Sequence, residues 1–317
     1  MTSIDLDRAP FERGRWVLRE YVTGLDECRA TTVLPDAPVA VLGAEGHLAV
    51  VDLDTGAVDT YEVDDDLPPV ALVGLTGRRV LAVRFSSVEL YRLDGPGEWK
   101  APIRRWRIQS DTSVLDVAAT ASGSRFVVAA GDRFYVGDVD DPDLVEVDSP
   151  DQTWYGTAGC LAAYVSPDGA TVGVGRAGSV GVYAAAPLRR IRDLTLNEKG
   201  DAVLSVALSP DGRRLMAGDD ATRTALFDFD GGTRDQVSGG GKVIKAQWSR
   251  DGGACALVVL TRAVGVVDPS GRLLVELAPQ ETGTYYFLGG GWAGGGDRFA
   301  VGTEHGKILA WNLEAEA

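Results

Sequence analysis

The tetrapeptide SPDG, at Ser166–Gly169 and again at Ser209–Gly212, decides the fold. Ser249–Gly252 reads SRDG, and weaker copies stand at Leu34–Ala37 (LPDA), Leu75–Arg78 (LTGR), Ala121–Ser124 (ASGS) and Ala293–Gly296 (AGGG). Their first residues lie 41, 46, 45, 43, 40 and 44 apart. In SPDG, Pro presets φ, Asp bonds back to the backbone and Gly takes a left-handed conformation, so each copy is a tight turn. A turn recurring at this step marks one supersecondary unit repeated seven times, stacked or set around an axis.

A second column keeps the same register. An apolar or bulky residue, usually followed by Asp, stands 16 to 18 positions after each turn begins: Val51-Asp52, Tyr91-Arg92, Gly137-Asp138, Tyr183-Ala184, Phe227-Asp228, Val267-Asp268 and Trp311-Asn312. Around 40–45 residues is the length of one propeller blade. On these turns, and on GTEHGKILAWNL at Gly302–Leu313, the chain resembles the WD-repeat β-propeller family over almost its whole length. The resemblance implies an all-β fold: a seven-bladed β-propeller with four-stranded antiparallel blades, and a binding face built from loops. The chain departs from the pattern in having only two histidines, His47 and His305, and therefore no Gly-His dipeptides. The Asp usual before the third strand is mostly missing as well. The family's buried His–Ser/Thr–Asp–Trp network is therefore expected to be absent.

The fifth unit shows how a blade is read. Ala202–Leu208 is the first strand, Arg214–Gly218 the second, Arg223–Phe229 the third and Thr233–Val237 the fourth. Leu204, Val206 and Leu208 alternate with Val203, Ser205 and Ala207, as in a strand packed on both faces. The seventh unit runs out after its third strand, Lys307–Leu313. A spare alternating strand, GRWVLREYV at Gly14–Val22, is expected to supply the fourth and close the ring. Residues 1–317 are thus expected to form one domain, with 1–13 a flexible segment ahead of it.

Composition narrows the functional classes. The 31 basic and 46 acidic residues leave a net charge of −15, which repels phosphate backbones and disfavours nucleic acid. There is no run of 18 apolar residues, so no membrane span is expected. The start, MTSIDLDRAPFERGR, carries early acids and no apolar core, unlike a secretory signal. Cys28, Cys160 and Cys255 are odd in number and widely spaced, which reads as reduced thiols in a cytoplasm. There is no GxSxG, no phosphate loop and no metal-ligand spacing, so no cofactor, metal or catalytic constellation is expected. DVDDPD at Asp138–Asp143 and DFDGG at Asp228–Gly232 read as turns rather than calcium loops.

The function expected is a cytoplasmic protein-interaction scaffold. Trp154 and Tyr155 sit in the longest connection, DSPDQTWYGTAG at Asp148–Gly159, and are candidate anchors for a partner. Capping of the barrel is the competing role for these rings. Asp65, Asp66, Asp111 and Glu281 are candidate steering acids within a larger acidic set that includes Asp26, Asp219 and Glu304. The partner expected is a protein or peptide with a basic segment. The alternative is a propeller enzyme of the lactonase or quinoprotein sort, with polar groups converging on the channel mouth. The basic runs PIRRWR (Pro102–Arg107) and PLRRIR (Pro187–Arg192) are expected on rim strands, where charge blocks edge pairing. His47 and His305 fall in equivalent turns of neighbouring units, so a shared site with Glu45 and Glu304 is conceivable, although tolerance of His in exposed turns is the better reading.

Overall fold

The computed structural model describes residues 14–63, 67–93, 101–108, 115–131, 133–148, 161–229, 234–237, 241–260, 263–277, 286–293 and 296–315. Twenty-eight strands form seven four-stranded antiparallel sheets arranged as a ring, a seven-bladed β-propeller. Blade 1 is β2 to β5 (Ala30–Val33, Val39–Ala44, His47–Asp52, Val58–Glu62) and blade 2 is β6 to β9 (Ala71–Leu75, Arg79–Arg84, Ser87–Arg92, Arg104–Arg107). Blade 3 is β10 to β13 (Asp116–Ala119, Phe126–Ala130, Arg133–Gly137, Val145–Asp148) and blade 4 is β14 to β17 (Ala162–Val165, Thr171–Gly175, Ser179–Ala185, Leu188–Thr195). Blade 5 is β18 to β21 (Val203–Leu208, Arg214–Asp219, Thr224–Asp228, Arg234–Gln236) and blade 6 is β22 to β25 (Val243–Trp248, Cys255–Val259, Val264–Val267, Leu273–Leu277). Blade 7 joins β26, β27 and β28 (Phe287–Ala293, Arg298–Thr303, Lys307–Ala315) to β1, Gly14–Val22.

The expected closure is therefore present. β1 pairs with β28 from Gly14 opposite Ala315 to Val22 opposite Lys307. Trp16 packs 6.4 Å from Trp292, and Glu20 pairs with Lys307 at 2.7 Å. The Tyr21 hydroxyl donates to the Leu53 carbonyl at 2.6 Å and so ties the strand to blade 1. The segment 1–13 lies outside the described residues.

Radial sheets have two buried faces, and the strands show it. All six residues of VAVLGA in β3 are buried, whereas LRRIRDLT in β17, an outermost strand, buries only Leu194. The apolar core is divided among the junctions between blades. Among the described residues it forms seven clusters, one per junction. Val41, Val50 and Tyr61 of blade 1, for example, meet Leu72, Val80 and Tyr91 of blade 2. The second sequence column lies within the third strand of every blade, and Val51, Tyr91, Tyr183, Phe227, Val267 and Trp311 are all buried there.

The SPDG turns join the first and second strands, and their chemistry repeats. The Ser166 hydroxyl donates to Asp168 Oδ1 at 2.6 Å and accepts the Thr171 N–H at 2.8 Å. The Asp168 carboxylate accepts the Ala170 N–H at 3.0 Å, and Gly169 takes a φ of 70°. Ser209 and Asp211 repeat the set. In blade 3 the bonds place the turn one residue earlier than the expected Ala121–Ser124. The Thr120 hydroxyl accepts the Arg125 N–H at 3.2 Å, and the Thr120 carbonyl accepts the Gly123 N–H. Thr120 thus stands where blades 4, 5 and 6 carry Ser166, Ser209 and Ser249, one residue before the expected start.

Gly173-Val174-Gly175 reflects close packing, as its place in a strand suggested. A Cβ on Gly173 would lie 1.8 Å from the Tyr164 ring.

Candidate functional site

Alternating connections reach opposite faces of the disc. One face, here the upper, carries the turns between second and third strands and the links from one blade to the next. The lower face carries the SPDG turns. The innermost strands line a central cavity of about 380 Å³, to which all seven blades contribute.

Strand-one side chains at alternate positions reach toward the next blade, where they capture backbone N–H groups. Thr32 Oγ1 accepts the Gly74 N–H at 2.9 Å. Asp116 Oδ2 accepts the Ala163 N–H at 2.9 Å, and Gln247 Oε1 accepts the Trp292 N–H at 3.2 Å. The intervening positions reach back. The Trp248 indole donates to the Ala207 carbonyl at 3.2 Å and the Trp292 indole to the Gln247 carbonyl at 2.9 Å. Both rings are buried, as their core-column position suggested. Lys245 is the exception to this local pattern. Its Nζ lies 3.0 Å from Asp116 Oδ1, three blades away, so the pair crosses the channel.

The upper face collects exposed apolar groups. Of the nine large hydrophobic residues exposed among the described residues, five belong to it: Val22, Leu67, Phe85, Leu115 and Tyr286. Phe85, 55% exposed, tips the turn between β7 and β8, and Leu67, 52% exposed, sits in the link from blade 1. The two segments are tied together, because the buried Arg84 donates through Nη1 to the Leu67 carbonyl. Below them Glu89, fully buried, accepts Arg84 Nε at 3.0 Å and pairs with Arg105 Nε at 2.6 Å. The Tyr91 hydroxyl also donates to Glu89, and burial with this contact raises its pKa well above the ordinary tyrosine value. The Phe85 turn therefore stands on a fixed polar base.

Blade 4 solves the same problem with its charges moved. Arg176, equivalent to Arg84, reaches Asp193 on the outer strand at 2.7 Å, and Arg190 pairs with the same carboxylate. Gly181, at the place of Glu89, leaves the room, since a Cβ there would lie 2.4 Å from Arg176 Nη2. The two basic rim runs are thus partly consumed by these pairs.

The expected partner residues Trp154, Tyr155, Asp65, Asp66, Asp111 and Glu281 lie outside the described residues, as does Cys160. Asp219, assigned to the exposed acidic set, is fully buried instead. Its carboxylate accepts the Ala221 and Arg223 N–H groups, the Arg223 Nε and, at 3.0 Å, Asn197 Nδ2. A carboxylate at the end of a second strand turns inward to satisfy the tight bend, a role that composition alone does not separate from surface charge. Asp26 is exposed as expected.

The two histidines do not share a site in the structure. His47 Nδ1 contacts the carbonyl of its own turn residue Glu45 at 2.8 Å, whereas His305 lies near Glu304 and Asp26 at 3.5 and 3.9 Å. The Asp138 and Asp141 carboxylates accept N–H groups two residues on, the turn chemistry expected of that stretch. Cys28 and Cys255 are buried and unpaired, and burial, with Asp26 nearby, pushes the Cys28 thiol up to about 11.

Sequence reasoning missed Lys245, Asp116, Gln247 and Glu89. Their signal was present as charged or amide residues inside first or third strands whose counterparts in other blades are small or apolar. Compared with family models and with curated proteins, the chain matches none.

Proposed function

We propose that the protein is a protein-interaction scaffold whose upper face holds a protein or peptide partner. The observation that carries this reading is the gathering of exposed apolar side chains on that face, headed by Phe85 and Leu67 on their buried polar base. A rigid aromatic that loses little freedom on binding is what an interface anchor requires. Asp65 and Asp66 immediately precede Leu67 in the chain, and acids next in sequence to an apolar anchor favour a partner with a basic segment. Trp154, Tyr155, Asp111 and Glu281, outside the described residues, stay candidate contacts on the sequence alone. The net charge of −15 argues against nucleic acid as partner. Buried, unpaired Cys28 and Cys255 support a reducing, cytoplasmic setting.

The WD-like reading rests on the seven SPDG-type turns, the closure by β1 and the buried Asp219 in blade 5. That blade keeps a reduced form of the network expected to be absent, with Asn197 as the amide partner of Asp219. The alternative, an enzyme of the lactonase or quinoprotein sort, needs polar groups free at the channel mouth. Thr32, Asp116 and Gln247 each commit one oxygen to the backbone of a neighbouring blade, a structural duty that the scaffold reading accommodates.

The test compares proteins captured by the wild-type chain with those captured by a Leu67→Ser, Phe85→Ser double variant of equal melting temperature. The expected result is loss of a specific partner from the variant. Retention there, with loss on the rim substitution Ile191→Ser, would overturn the reading.

A further inference from the structure

We propose that the central channel is a binding site for a small zwitterion, a free α-amino acid with an apolar side chain. The starting point is the Lys245–Asp116 pair. The equivalent positions, four residues before each turn, hold Ala30, Ala71, Ala162, Ser205 and Gly289. Five of the seven first strands thus carry a small residue at this level, and the other two carry a cation and an anion that meet at 3.0 Å.

Both partners keep unspent hydrogen-bonding capacity. Among the described residues Lys245 Nζ contacts only Asp116, which leaves two of its three N–H donors free. Each Asp116 oxygen accepts one bond, from Lys245 and from the Ala163 N–H, and a carboxylate has about four acceptor sites. The Lys245 side chain is 30% exposed and lines the cavity, so these donors face its space. Gln247, two residues on and on the same side of β22, uses its Oε1 on Trp292, and among the described residues its Nε2 makes no hydrogen bond.

Charge selects the ligand. The site is already neutral, and adding a lone carboxylate or a lone ammonium would leave one uncompensated charge between low-dielectric walls. A zwitterion adds none. Its carboxylate accepts from Lys245 Nζ and Gln247 Nε2 while its ammonium donates to Asp116, which makes a closed four-charge arrangement. In an α-amino acid the two groups are joined through one carbon, so they can engage two side chains that already touch. The rest of the ligand meets Val33, Val165, Leu208, Trp248 and Trp292, the apolar members of a lining that also includes Thr31, Thr32 and Thr76 and the opposite charges of Asp36 and Arg250. A cavity of about 380 Å³ falls at the lower end of the size of small-molecule sites. This site is independent of the partner face, and either can fail alone.

Calorimetry with L-leucine at millimolar concentration tests the proposal. One molecule is expected to bind per chain. 4-Methylpentanoate, which lacks the ammonium, and 3-methylbutylamine, which lacks the carboxylate, should each bind at least about tenfold more weakly. Asp116→Asn keeps an acceptor for the Ala163 N–H and should lose leucine binding by at least about tenfold without unfolding. Lys245→Met keeps the aliphatic stem and should do the same. Should Lys245→Met fail to fold, Asp116→Asn decides alone. The proposal is overturned if L-leucine, L-methionine and L-phenylalanine all give no heat, if the acid or the amine binds as well as leucine, or if Asp116→Asn binds unchanged.

Discussion

Asp219 shows how much one side chain can hold in place. It is fully buried, yet it accepts from the Ala221 and Arg223 N–H groups and the Arg223 guanidinium of its own turn and from the Asn197 amide of the preceding link. Removing an acceptor that serves several buried donors costs more than any one hydrogen bond returns, because the donors stay desolvated. Asp219→Ala should lower the unfolding free energy by about 2–4 kcal/mol, and Asp219→Asn, which keeps one oxygen, by less. Urea denaturation of the two variants checks the order, and an Asp219→Ala protein as stable as the parent would refute it. Gly173 carries a different constraint at the same scale. With the Tyr164 ring 1.8 Å from where a Cβ would stand, Gly173→Ala must displace a buried aromatic, and a loss of about 1–3 kcal/mol is expected in the same assay.

The repeated element is the SPDG turn. In blades 4 and 5 the serine hydroxyl, then the backbone N–H two residues beyond the aspartate, hold the carboxyls of Asp168 and Asp211 below their ordinary value of 3.8. A carboxyl depressed in the folded state adds stability that is complete above its unfolded pKa and is lost as pH falls through the folded one. The turns should therefore weaken only below about pH 4. Ser209→Ala removes the hydroxyl that both lowers the Asp211 carboxyl and accepts the Arg214 N–H. The variant should lose about 1 kcal/mol at neutral pH and show a shallower decline on acidification. Melting temperature followed across that pH range would show the difference, and parallel curves for parent and variant would sink the argument. These turns were the legible part of the chain, because SPDG encodes its own local hydrogen bonds wherever it falls. The ring, the seven units, the fifth-blade strands to within a residue or two and the β1 closure all followed from their spacing. The blade 3 register did not, because Thr120 performs the serine role with no proline after it. The channel pair was hidden for another reason. Lys245 and Asp116 lie 129 positions apart, and no local pattern announces that two first strands face each other across an axis.

At the scale of the molecule, stability is spread over seven junction cores, and blade 7 is the one built from both ends of the described chain. Without Gly14–Val22, β28 becomes an open edge and Trp292 loses its Trp16 neighbour. Deletion of residues 1–22 should lower the melting temperature sharply and promote aggregation, and a truncated protein that melts with the parent would disprove the closure's importance. The partner surface is also a property of the whole disc. Trp154→Ala should weaken partner binding by about 1–3 kcal/mol, mainly through faster dissociation, with the melting temperature nearly unchanged. Reversal of Asp65 and Asp66 to Lys should mainly slow association and flatten its salt dependence. A Trp154→Ala protein that is destabilised but binds normally would assign that ring to packing instead.

The pairing of Gly14–Val22 with Lys307–Ala315 also imposes an order on synthesis. β1 leaves the ribosome before every other strand of the ring, and its partner follows only after the 284 residues between Val22 and Lys307 have been made. At about 5–20 residues per second this strand waits roughly 15–60 s with one edge unsatisfied. Six blades can assemble in sequence meanwhile, each on the one before. The nascent strand must stay unattached through that interval, and the charges of Arg15, Arg19 and Glu20 among its apolar residues suit it to do so. Slowing the ribosome across the blade 6 and blade 7 codons would lengthen the wait without altering a single residue of the finished ring.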